Sequence, residues 1–266
     1  MHELERRAPG ADAGNSFALL LIDGLSRREE PVTRVLQNAL GGVQLVGGSA
    51  GDALNFGITQ VYAEGAFHTD SAALVLVTTP LPFRVFKTQH FVPTDHRVVV
   101  TDADAERRIV REIDGRPAAE AYAELVGVSV QSLDPLRFAG RPMVVLIDGT
   151  NYVRSIQKAN PDGSLTLMCA IEEGLVLRSA HGVGLVENLV QSFAQTRDAI
   201  GPPQLVIGCD CILRKLEITE RGLGGLVEEV LSDNNFIGFS SYGEQFGGVH
   251  INQTLTGIAI AEPASE

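Results

Sequence analysis

One local pattern occurs twice in this 266-residue chain, and it narrows the folds the chain can take. Residues 17–52 read strand, helix, strand, and then Gly47-Gly-Ser-Ala-Gly-Asp52. Residues 205–244 read strand, helix, strand, and then Gly238-Phe-Ser-Ser-Tyr-Gly-Glu244. Setting Gly51-Asp52 on Gly243-Glu244 lays Ser49 over Ser241. Short apolar runs such as Phe17–Ile22, closed by a charged residue, have the form of buried strands. A duplicated strand–helix–strand unit predicts two related lobes with a pseudo-symmetric interface, and clefts between lobes are favoured ligand sites.

The rest of the chain agrees with an α/β fold of mixed sheets and flanking helices. Ser26 is placed to cap a helix running to about Leu40, with Val32, Val35, Leu36 and Ala39 on one face and Gly41-Gly42 as its stop. Strands are expected at Val43–Val46, Thr59–Tyr62, Ala72–Thr78, Phe83–Thr88, Arg97–Thr101 and Met143–Ile147. Asp114-Gly115 and Pro161-Asp162-Gly163 mark turns, and Pro117 stands where a first helical residue would. Further helices are expected near Val186–Ala194 and Leu223–Leu231, and a final alternating strand over His250–Ile260. The expected division is a disordered tail at 1–16, a first lobe at 17–140 and a second at 141–266.

Charge removes several functions. Lys and Arg total 21 against 33 Asp and Glu, a formal charge of −12. Nucleic acid and anionic membranes both require a basic face. Tryptophan is absent and aromatics are 6%, which disfavours a base-stacking platform. Three cysteines are too few for a disulfide scaffold and fit reduced thiols in the cytoplasm. No run has the length of a membrane span, and the first residues lack the apolar stretch of a signal peptide.

Several motifs carry chemistry. Gly47-Gly-Ser-Ala-Gly51 fits the nucleophile-elbow pattern, but no helix follows Ser49 to aim its hydroxyl. The same residues suit a tight turn or a nest of backbone N–H groups around an anion. Gly222-Leu-Gly-Gly225 lacks the preceding strand of a dinucleotide fingerprint. Cys209 and Cys211, two apart on a strand, would face one side and could share zinc, an iron–sulfur centre or a redox role, or be plain buried residues. None of the six histidines has metal-enzyme spacing; His90 and His250 are the imidazoles placed on strands. Arg154 could clamp a carboxylate. Ser241-Tyr242-Gly-Glu244 and Asn252 bring polar groups to the second glycine motif.

Leu45–Asp52 with Thr59–Tyr62, and Leu205–Cys211 with Arg214, Gly238–Glu244 and Asn252–Thr256, resemble the two halves of the FIST family, across nearly the whole chain. Phe86–Thr94, Val153–Lys158 and Gly208–Arg214 are similar to its NosP-type branch. The resemblance implies a cytoplasmic, non-enzymatic sensor of bacterial signal transduction. It implies haem b with His90 or His250 as axial ligand and Arg154 at a propionate, a nitric oxide response, and a histidine kinase partner. It equally accommodates a small polar ligand such as an amino acid, held by Gly48, Ser49, Asp52, Asn55, Arg214, Ser241, Tyr242, Glu244 and Asn252. A homo-oligomer is compatible with either.

Overall fold

The computed structural model describes residues 10–147 and 149–263. The first unit contains β1 (Ser16–Asp23), α1 (Glu29–Leu40), β2 (Gln44–Ala50), the hairpin β3 (Val61–Ala63) and β4 (Ala66–His68), and β5 (Ala72–Thr78). β6 (Phe83–Thr88) leads into a middle region of β7 (Phe91–Asp104), β8 (Ile109–Ile113), β9 (Arg116–Pro117), α2 (Ala118–Val126) and α3 (Pro135–Gly140). That region continues with β10 (Met143–Ile147), β11 (Thr150–Arg154), β12 (Ile156–Ala159), β13 (Leu165–Leu167), β14 (Val176–Gly182) and α4 (Leu185–Ile200). The second unit follows: β15 (Pro203–Cys211), α5 (Ile212–Glu220), α6 (Gly224–Ser232), β16 (Phe236–Ser241), the hairpin β17 (Glu244–Phe246) and β18 (Val249–Ile251), and β19 (Leu255–Ala261).

Besides the two-stranded β3–β4 sheet, three sheets organise these strands, with order β18-β17-β2-β1-β5, β16-β15-β19-β6, and β11-β10-β14-β7-β8-β13-β12 with β9 beside β8. In the third, the two end strands are consecutive in the chain and meet at Ser155, so the sheet curls almost into a barrel. Its core includes Val100, Ile113, Tyr122, Phe138, Met143 and Leu177.

The duplication is borne out in strand pairing. β1 lies parallel to β2 and antiparallel to β5; β15 lies parallel to β16 and antiparallel to β19. The hairpins repeat as well. Val61 pairs with His68 as Glu244 pairs with Ile251, and both hairpins turn through two residues at positive φ, Glu64-Gly65 and Gly247-Gly248. At the same offset Asp70 falls on Gln253, and both are non-glycine residues at positive φ. The units also interlock: β17 crosses to pair with β2, and β6 pairs with β19.

Several expectations change. β2 runs on through Gly47-Gly-Ser-Ala50, so the motif is a strand and not a turn. The glycines serve close approach: a Cβ on Gly47 would overlap the Leu20 carbonyl, and one on Gly48 would lie 2.8 Å from Cys209 Sγ. α1 starts at Glu29 with Arg28 before it and no side-chain cap; Ser26 Oγ instead donates to the Asp23 carbonyl. Val35 is exposed, and Thr33 takes the buried face. Pro117 precedes its helix instead of opening it. The expected strand 250–260 breaks at Asn252–Thr254 into β18 and β19. Residues 1–9 of the expected tail lie outside the described residues, and Ser16 opens β1. α3, a single turn capped by the Asp134 carboxylate, α5 and β14 had no clear signal in the sequence.

Candidate anion-binding site

A cavity of about 720 Å³ forms a polar basin beside the curled sheet. Its walls come from the turn after β1 (Gly24, Leu25, Arg27), the start of β8 with the turn before it (Arg107 to Arg111), the β12–β13 hairpin (Gln157 to Met168) and Tyr242. This volume lies in the range of small-molecule sites. Five cations line it, Arg27, Arg107, Arg108, Arg111 and Lys158, against one carboxylate, Asp162.

The cations differ in what holds them. Buried Arg108 donates to Glu29 and Glu30, each at 2.6 Å, and to the Met168 carbonyl at 2.9 Å. Burial alone would push Glu30 up; His250, Arg108 and the Ala170 N–H outweigh it and leave the carboxyl below its usual range. Arg111 pairs with Asp102 at 3.0 Å and Asp104 at 3.3 Å on the surface. Arg27, Arg107 and Lys158 form no ion pair with another described residue. Arg27 and Arg108 hold positive φ angles of 57° and 56°. Non-glycine residues in that region cost roughly 1–3 kcal/mol each and tend to cluster at ligand sites.

Tyr242 closes one side. Its ring stacks on Phe56 with centroids 4.8 Å apart, and its hydroxyl donates to the Asp52 carboxylate and the Ala53 carbonyl. Asp52 also accepts from the N–H groups of Phe56, Gly57 and Ile58. The Tyr242 hydrogen bond leads these effects and holds the Asp52 carboxyl down at about 2. Asp52 is therefore a loop clamp. Exposed Asn55 only donates back to the Asp52 carbonyl.

The other expected site residues gather in a buried knot between the two units. Ser49 donates its N–H to the Gly243 carbonyl, accepts from the Tyr242 N–H, and takes a hydrogen bond from Gln245 Nε2. Gln245 also donates to His250 Nδ1, which leaves His250 Nε2 and the Asn252 amide buried with no partner among the described residues. Ser241 and Thr254 both donate to Glu244 at 2.6 Å. Burial pushes the Glu244 carboxyl up to about 8. Arg214 is fully buried, with Nε 3.0 Å from Asp210. Gly48 presses on Cys209. Of all the expected ligand residues, Tyr242 alone lines the basin. Arg27, Arg107, Arg108, Arg111 and Lys158 were missed because they come from distant turns and strands whose charges read as ordinary surface.

The histidine and cysteine expectations meet a different setting. His90 is buried, and its Nε2 lies 2.9 and 3.0 Å from the two Glu217 oxygens. Neither His90 nor His250 lines the basin. Arg154 is buried and donates to the Val153 carbonyl. Burial pushes the thiols of Cys209 and Cys211 up, away from the thiolate form that binds metal. Among the described residues no group of three His, Cys, Asp or Glu side chains could hold a metal ion. No described helix is long and apolar enough to cross a membrane.

Comparison with known proteins identifies the architecture. Residues 1–116 match the FIST N domain and residues 118–247 the FIST C domain. An uncharacterized protein of Methanocaldococcus jannaschii is 24% identical over 285 residues, covering 94% of this chain and 55% of that protein. The chain thus spans about half the length of this curated relative. No solved structure matches. The chain belongs to the FIST family, whose domains are sensory modules of signalling proteins.

Proposed function

We propose that this FIST chain senses a small anion, a carboxylate or phosphate compound, in the basin beside Tyr242. The observation that carries this reading is a 720 Å³ basin lined by three cations with no ion pair to another described residue, Arg27, Arg107 and Lys158, beside the paired Arg108 and Arg111, in a chain of net charge −12. Like charges gathered at one surface oppose folding, and backbone strain at Arg27 and Arg108 adds to that opposition. A bound anion relieves the repulsion. It would also tie the first unit, through Arg27, to the middle sheet, through Arg107 and Lys158. A ligand that favours the tied arrangement shifts the population, and this is all a sensor needs in order to report to a partner. A histidine kinase is the partner class that the resemblance implies.

Calorimetric titration with inorganic phosphate and with glutamate tests the reading. Binding of at least one is expected, weakening at high salt because the charges are partly exposed. Loss of one charged hydrogen bond, about 1.5–3 kcal/mol, should weaken it about tenfold or more in Lys158→Gln and in Arg107→Gln. Arg34→Gln, exposed on α1 and not among the residues lining the basin, should change nothing. Affinities unaltered in both basin variants would reject the site.

The anion is favoured over haem because neither His90 nor His250, the two candidate axial ligands, opens onto the basin. One His90 nitrogen is engaged by Glu217, and the other is buried without opening onto the basin. Titration with haemin should therefore give no saturable Soret band. A saturable band that disappears in His90→Ala would restore the gas-sensor reading.

A further inference from the structure

The duplicated architecture leaves one pairing unmade. In the first unit the outer strand β2 is covered by the other unit's hairpin: Glu244, Gln245 and Phe246 of β17 lie against Gly48, Gly47 and Val46. The second strand of that hairpin, β18, rests on α1. β16 stands to β15 as β2 stands to β1. Yet β16 is the terminal strand of its sheet. The positions matching Val46 and Gly48, when Gly238 is set on Gly47, are Ile237 and Phe239, and they are 63% and 45% exposed. An edge strand with open backbone groups and large apolar side chains is a template for another strand.

The matching hairpin is present in the chain. β3–β4 has the same strand length, the same two-residue turn and the same spacing to its following strand as β17–β18. It leans on β1 and β5 as its counterpart leans on β15 and β19. It nevertheless forms a two-stranded sheet by itself. Its aromatic pair, Tyr62 and Phe67, has centroids 5.1 Å apart and is 59% and 66% exposed. Beside β16 a groove of about 490 Å³ is lined by Ile218, Val227, Leu231, Phe236 and Ile237. It lies between β16 and α6, where β18 lies against α1 in the first unit.

The hairpin is rooted on its own unit. Asp23 accepts from the Thr59 hydroxyl just before β3 and from the Asp70 N–H just after β4. These bonds hold β3–β4 beside β1 and β5 of its own unit. We propose that two copies of this chain pair about a two-fold axis, the β3–β4 hairpin of each adding to the β16 edge of the other. A two-fold arrangement completes both hairpins and both edges at once and closes the assembly. Backbone hydrogen bonds supply the ladder, and Tyr62 and Phe67 cover Ile237, Phe239 and the groove. This proposal is independent of the ligand reading.

Sedimentation velocity over a wide concentration range tests it. The protein should dimerise, and Ile237→Lys and Phe67→Lys should each weaken the dimer by roughly tenfold or more, as loss of an apolar anchor does. Both side chains are exposed in the single chain, so circular dichroism melts of the variants should match wild type. The double variant Ala63→Cys, Ile237→Cys should form an interchain disulfide of doubled mass; the three native cysteines are buried. A protein monomeric throughout overturns the proposal. So does a dimer sensitive to Ile237→Lys and indifferent to Phe67→Lys, which would mean edge-to-edge pairing of β16. A disulfide formed within one chain would equally overturn it and assign the edge to the chain's own hairpin.

Discussion

Wild-type protein should lose stability as pH rises from 5 to 8, and Glu244→Gln should remove most of that loss. Glu244 is buried, and burial lifts its carboxyl from 4.5 to about 8. Below pH 4.5 it is protonated in folded and unfolded chains alike, so it contributes no slope. Between about 4.5 and 8 the unfolded chain ionises there while the folded chain keeps its proton, so each pH unit favours unfolding by about 1.4 kcal/mol. The full loss is on the order of a few kcal/mol, or roughly 5–15 °C in melting temperature for a chain of this size. Asp210, raised by burial to about 6, steepens the lower part of the window, and its charge also opposes ionisation of Glu244. Glutamine can keep the contacts: its carbonyl accepts from the Thr254 N–H and hydroxyl, and its amide donates to the Ser241 oxygen. Melting curves of both proteins across this range decide the point. Parallel pH profiles would show that Glu244 is not the group responsible.

Gly48→Val should be strongly destabilising, through a side-chain contact that a second substitution can relieve. A Cβ on Gly48 would stand 2.8 Å from Cys209 Sγ, 2.9 Å from Cys209 Cβ and 3.3 Å from Ser241 Cβ. These atoms belong to β15 and β16, so the added carbon would force the two sheets apart where they approach through this glycine. Overpacking a closed core costs about 1–3 kcal/mol, with alanine near the lower end and branched valine at or above the upper. Urea unfolding of Gly48→Ala and Gly48→Val should show that order. Adding Cys209→Gly should recover much of the loss, because it removes both of the nearest atoms; the recovery measures the contact directly. A Gly48→Val protein within about 0.5 kcal/mol of wild type would refute the close-approach account.

Both predictions concern residues that the sequence offered as ligand contacts. Ser49 and Glu244 are polar residues in glycine-rich motifs, a pattern that binding loops and tightly packed strands share. A linear sequence does not reveal whether a carbonyl or an anion lies opposite a glycine. Strand interlocking decides it here, since β17 crosses to β2 and turns this region into the seam between two units. The basin was hidden for the converse reason. Arg27 and Lys158 lie far apart in the chain and sit among unremarkable charged neighbours. Only the curling of the middle sheet brings the segments that carry them to one cavity.

Local patterns alone determined β5, β6 and β10 to the residue, as well as the turns at Asp114-Gly115 and Pro161–Gly163. Apolar runs bounded by glycine, proline or charge form strands wherever they are buried. The repeat was legible for the same reason, because each unit encodes its own strand–helix–strand order. Tertiary structure decided where β2 ends, which polar groups became core, and which charges share a cavity. These outcomes depend on contacts between segments as much as 209 residues apart, and no local propensity encodes which partner a segment will meet.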